Sequence, residues 1–116
     1  MILPMRSLTA PGLFGNETRT ATLLLIAMLG ETHAAEIAKI LGRSPSRIKE
    51  AVDSLERSAV IVGIQEGTAH RLRLNPRYLA ADELRSLLET LAEADVALQT
   101  KAAAFRRRPR RAGKEI

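Results

Sequence analysis

The stretch that decides the architecture is AAEIAKILGRSPSRIKEAVDSLERSAVI, residues Ala34 to Ile61. Two short apolar-faced segments flank the break at Gly42 to Pro45. In the first, Ile37, Ile40 and Leu41 form one stripe at helical spacing. Gly42 stops it, because glycine alone enters a left-handed turn freely. Ser44 is a helix cap, and Pro45 suits a first helical position, where its missing N–H costs nothing. This helix is expected to run to about Ser58, with Ile48, Ala51, Val52 and Leu55 inside. At about 100° per residue, Ser46, Glu50, Asp53 and Arg57 share the opposite face, with Arg47 and Lys49 on its flanks. Small Ala38, Gly42 four residues on and apolar Ile48 six further let two helices meet steeply. The far face of the second helix is then left free.

Upstream, Pro4, Pro11, Gly12 and Gly15 mark residues 1–15 as an irregular arm. Asn16 caps a helix over Glu17 to about Leu29 that buries Leu23, Leu24, Ile26, Ala27 and Met28, with Gly30 ending it. Thr32 is the expected cap of the helix that follows, and His33 is expected in its first turn. Downstream, β-branched AVIVGI (Ala59 to Ile64) predicts a strand and QEGT a turn around Gly67. AHRLRLN alternates Arg71 and Arg73 against Leu72 and Leu74, the period of a second strand. His70 shares the parity of Leu72 and is expected half-buried. A last helix is expected from about Ala80, with Leu84, Leu87, Leu91, Ala94, Leu98 and Phe105 in heptad rhythm.

With 116 residues, the chain suits one domain with a modest core. Three aromatic residues, Phe14, Tyr78 and Phe105, leave that core to Leu, Ile, Val and Ala, which favours helices. There is no cysteine, so disulfides and thiolate metal sites are impossible, which suits a reducing cytoplasmic location. The start MILPMRSLTAPGLFG lacks the pattern of a secretory signal. The run ATLLLIAMLG is about half as long as a membrane span needs. The net charge of +5 is unevenly placed. Residues 101–116 hold seven bases against one acid, whereas residues 1–100 hold eleven bases against twelve acids. An electrostatic case for nucleic-acid binding from bulk charge is therefore a case about the tail. No phosphate-binding GxxxxGK[ST] loop, no GxSxG elbow and no carboxylate pair in an evident pocket point to an enzyme. Two isolated histidines, His33 and His70, make a poor metal site, and no cofactor is implied.

Helix, helix, tight turn, helix, hairpin and long helix is the order of a helix-turn-helix with a β-hairpin wing. A protruding helix that begins with short polar side chains fits the DNA major groove, whose width admits one helix. LFGNETRTATLLLIAML, AAEIAKILGRSPSRIKEAVDSLERSAVI and RLRLNPRY together resemble winged-helix regulators of the ArsR-like type over residues 13–80. The resemblance implies a mostly α protein with a small β-hairpin (α+β), a winged helix-turn-helix with a long C-terminal helix. It divides the chain into the arm (1–15), a DNA-binding domain (16–79), a dimerisation helix (80–105) and a basic disordered tail (106–116). It implies a sequence-specific, double-stranded-DNA-binding transcriptional regulator, often a repressor and usually a homodimer. Ser44 to Asp53 correspond to its recognition helix and Gln65 to Arg71 to its wing. The cysteine pair of the metal-sensing members is missing here, and no His, Asp or Glu cluster replaces it.

The expected DNA contacts are Ser44, Ser46, Arg47, Lys49, Glu50 and Asp53, with Arg71 in the minor groove and Arg106, Arg107 and Arg108 on phosphates. Glu50 and Asp53 either read a cytosine amino group or pair with neighbouring bases at helical spacing. Leu84, Leu87, Leu91, Leu98 and Phe105 form the dimer seam, a stripe equally suited to packing against the first helix of the same chain. The competing expectation is a protein-interaction module, an antitoxin-like partner of an enzyme, whose nucleic-acid affinity comes from the tail.

Overall fold

Residues 12–107 are described by a computed structural model, with the side chain of Arg107 excepted. Most of the expected arm and residues 108–116, including Arg108, lie outside the described residues. The order is α1 (Glu17–Leu29), α2 (Ala34–Leu41), α3 (Pro45–Arg57), β1 (Ile61–Glu66), β2 (Ala69–Leu74), α4 (Ala81–Ala94) and α5 (Val96–Arg107). The described residues thus form a mostly helical α+β fold of five helices and one two-stranded antiparallel sheet.

Helix α1 lies at the centre and touches α2, α3, α4 and β2. Its Leu23, Leu24, Leu25 and Ile26 are buried, so four consecutive residues face protein rather than one stripe. Full burial of such a side chain contributes about 1.5–3 kcal/mol. The Asn16 side chain accepts the Arg19 N–H at 2.7 Å and starts the helix as expected. Helix α3 buries the expected Ile48, Ala51, Val52 and Leu55. Gly42, at φ 66° and ψ 37°, makes the left-handed turn between α2 and α3.

Three boundaries differ from the sequence expectations, each for a physical reason. His33, not Thr32, caps α2: its Nδ1 accepts the Glu36 N–H at 3.3 Å. Thr32 is drawn into the sheet instead, exchanging backbone hydrogen bonds with Leu72 at 3.1 and 2.8 Å. The strand β1 begins at Ile61 rather than Ala59, because Ala59 (φ 64°) turns the chain off the end of α3. The Ala59 N–H reaches the Glu56 carbonyl at 2.9 Å and the Val60 N–H reaches that of Leu55 at 3.1 Å. This is a Schellman close with alanine where glycine is usual. The hairpin itself pairs Ile61 with Leu74 and Glu66 with Ala69. Its turn has positive φ at Gly67, the first central residue, as a II′ turn requires.

The third difference is the largest. The expected single C-terminal helix is broken at Asp95, whose backbone is non-helical (φ −101°, ψ 78°). Its carboxylate accepts the Leu98 N–H at 3.1 Å and so caps α5. Aspartate competes for backbone donors in this way and favours helix starts over interiors. The break lets α4 pack on α1 and α5 on α2. The heptad stripe is therefore not one exposed seam. Leu98 is buried in the core of its own chain. Phe105, Leu84 and Leu91 pack partly against the same core. Leu87 alone of the five is exposed, at 43%.

Candidate nucleic-acid interface

The inner face of α3 is sealed in the core, and this fixes the orientation of its outer face. Ser46, Glu50 and Arg57 on that outer face are exposed and Asp53 is half-buried. Ser44 caps the helix, its hydroxyl accepting the Arg47 N–H at 3.3 Å. The two flanks of α3 then diverge in what they meet.

On the wing flank, Lys49 and His70 each have a carboxylate neighbour. Lys49 Nζ lies 3.2 Å from Asp53 Oδ2, one helical turn along. His70, exposed rather than half-buried, lies between Glu56 Oε2 at 3.2 Å and Gln65 Oε1 at 3.1 Å. Its ring passes over Gly63, where an added Cβ would overlap both the imidazole and the Glu56 carboxylate. Glycine in this strand therefore serves a close side-chain approach.

On the flank facing α1, arginines collect. A groove of about 550 Å³ runs between the first turns of α1 and the side of α3. Arg19, Arg43, Arg47 and Arg57 line it against only two carboxylates, Glu17 and Glu50. The guanidinium of Arg43 donates to Thr18 Oγ1 at 2.9 Å and lies 3.6 Å from Glu17 Oε1. Arg19 donates to the Ser54 hydroxyl, and its Nε is buried without a partner. Arg47 and Arg57 make no ion pair among the described residues.

No family model, no curated protein and no solved structure matches this chain. Function is therefore read from geometry and charge.

Of the expected DNA contacts, Ser44, Ser46, Arg47, Lys49, Glu50 and Asp53 are brought together on α3. Arg71 and Arg106 are elsewhere, while Arg108 and the side chain of Arg107 lie outside the described residues. Arg71 sits between two carboxylates, 2.9 Å from Glu31 Oε1 and 2.9 Å from Glu66 Oε1. Arg106 does not belong to a free tail: α5 continues through it to Arg107. Its guanidinium grips Glu36 twice, at 2.6 and 2.9 Å, and donates to the Glu31 carbonyl at 3.0 Å. Glu36 also accepts the Thr32 hydroxyl at 2.5 Å. Burial pushes the Glu36 carboxyl up, but hydrogen bonds from Arg106 and Thr32 and the charge of Arg106 outweigh it. The carboxyl is held below its ordinary value, and the Arg106 guanidinium is correspondingly raised.

Sequence reasoning missed Arg19 and Arg43 and left Arg57 outside the set of contacts. One signal for Arg43 was available: it stands between the turn glycine and the cap serine, where a sharp turn carries a side chain to the surface. Arg19 had none, because its partner Ser54 is thirty-five residues away in sequence.

Proposed function

We propose that this chain is a winged helix-turn-helix transcriptional regulator that binds double-stranded DNA in the cytoplasm as a homodimer. One observation carries the reading. Helix α3 is buried along one face, bare along the other and bordered by a hairpin on one side and an arginine-lined groove on the other. A helix so displayed has the dimensions and the short polar N-terminal side chains that suit a major groove. The bridge between Thr32 and Leu72 ties the hairpin to the start of α2 and steadies it beside α3. For the dimer, α4 offers Leu87 with half-buried Leu84 and Leu91 beside it. Two such chains about a twofold axis would read half-sites about one helical turn apart, roughly 10 bp.

Selection of bound duplexes from a random pool by the full chain tests this. An enriched pseudo-palindrome supports a dimeric sequence reader, and a pool without enrichment refutes it. A protein-interaction module remains the second reading, favoured by one observation: Arg71 is committed to Glu31 and Glu66 while Glu50 and Asp53 place acids on the bare face of α3. It predicts a pool without enrichment.

A further inference from the structure

We infer that the groove between α1 and α3 is a seat for phosphoryl groups, occupied in the complex by backbone phosphates of the duplex. The occupant rests on the DNA-binding reading above; the phosphoryl chemistry rests on the groove itself. Four guanidinium groups against two carboxylates leave a local surplus of two positive charges in a body that is otherwise near neutral. Arginine presents its donors in a planar fork that matches phosphate oxygens two at a time.

The four are not equivalent. Arg19 and Arg43 are already oriented by Ser54 and Thr18, so little side-chain freedom is left for binding to remove. Arg47 and Arg57 hold the rim with no protein partner among the described residues. The groove is open and about 550 Å³ in volume, room for more than one small ion, and its arginines come from α1, the turn before α3 and both ends of α3. Its position adds to this. When the outer face of α3 enters a major groove about 12 Å wide, both strands pass along the flanks of the helix. The flank facing α1 then meets one strand with a surplus of two positive charges. The wing flank meets the other with Lys49 already matched by Asp53 and with the Glu56 carboxylate beside His70. Phosphate contact is therefore one-sided, and it comes largely from residues outside α3's bare face.

The test is binding of a labelled random-sequence duplex by the full chain over a salt series, read by fluorescence anisotropy. The variants are Arg57→Gln, which has no ion pair to lose among the described residues, and Arg43→Gln/Arg57→Gln. A charge-matched control is Arg85→Gln/Lys101→Gln, two exposed residues away from the groove. Each phosphate contact contributes about 0.9 to the slope of log K against log salt. The single variant is expected to lower the slope by about one such step and the double by about two, with the control unchanged. Equal slopes for wild type and both groove variants would overturn the seat. If the wild-type chain binds no duplex, the DNA-binding reading fails by itself. Titration with inorganic phosphate, followed through the arginine Nε–Hε signals, then decides the groove. Shifts at Arg19 and Arg47, both still present in the double variant, that vanish there retain a phosphoryl site for a free anion, and no shift removes it.

Discussion

The two flanks of α3 start from similar sequence material and end in opposite electrostatic states. Both carry bases next to acids: Arg47 and Arg57 near Glu50 on one, Lys49 near Asp53 and Glu56 on the other. On the wing flank Lys49 finds a carboxylate within its own helix, and the Glu56 carboxylate is hydrogen-bonded across to His70 of the hairpin, so no positive charge is left over there. On the opposite flank the docking of α1 brings in Arg19 together with Glu17, and Arg43 joins from the turn. Two charges of a near-neutral body are thereby left over in one place. Net charge per segment does not predict this, because compensation is decided by which side chains become neighbours. Arg106 makes the same point in reverse. It opens the most basic run of the sequence, yet its charge is neutralised by Glu36.

The largest expected effect comes from reversing charge on one flank at a time. Arg43→Glu/Arg57→Glu should weaken duplex binding by roughly 3 kcal/mol, about two orders of magnitude, when each charged hydrogen bond lost contributes about 1.5–3 kcal/mol. Lys49→Glu should weaken it by less than a tenth as much in affinity ratio. Equal losses in a gel-shift titration would break the contrast between the flanks.

Arg106→Gln removes a charge from neither flank. It should leave the salt slope of duplex binding alone and instead lower unfolding stability by roughly 2 kcal/mol. That is below the about 3–5 kcal/mol for breaking a fully buried pair, since water reaches the guanidinium. The pH dependence has a definite sign. Glu36 has a depressed folded value, so its contribution is complete above its ordinary value of 4.5 and fades as pH falls through the lowered one. Urea denaturation from about pH 7 to about pH 3 should show a steeper acid loss in wild type than in Arg106→Gln.

Ala59→Gly addresses the passage from α3 into the wing. An L-residue at φ 64° costs about 1–2 kcal/mol, and glycine removes that at some cost in chain entropy. A net gain of about 0.5–1 kcal/mol in thermal or urea unfolding is expected. A loss would show that the alanine methyl packs usefully there. The smallest effect belongs to His70→Ala. Its hydrogen bonds to Glu56 and Gln65 are solvent-exposed, so their removal should cost less than about 1 kcal/mol in urea unfolding.

The helical elements of the first two-thirds were legible because their signals are local. Asn16, Gly42, Ser44 and Pro45 act on backbone groups within four residues of themselves, and Ile48, Ala51, Val52 and Leu55 show helical period in any window. The break at Asp95 was not legible: the heptad of leucines runs through it, and a lone aspartate reads as a polar position until α5 folds back onto α2. Ala59 offered no warning either, since alanine in a left-handed turn is selected by the close of α3 and not by its own preference.

For the candidate site, the sequence by itself determined which face of α3 is polar and where the helix begins. Burial of the other face follows from the hydrophobic period alone. Which flank keeps its charge was decided only in three dimensions. Arg19 and Ser54, Arg43 and Thr18, and Glu36 and Arg106 are separated by 35, 25 and 70 residues. An ion pair or hydrogen bond acts over a few ångströms, so its partner is set by how the helices dock.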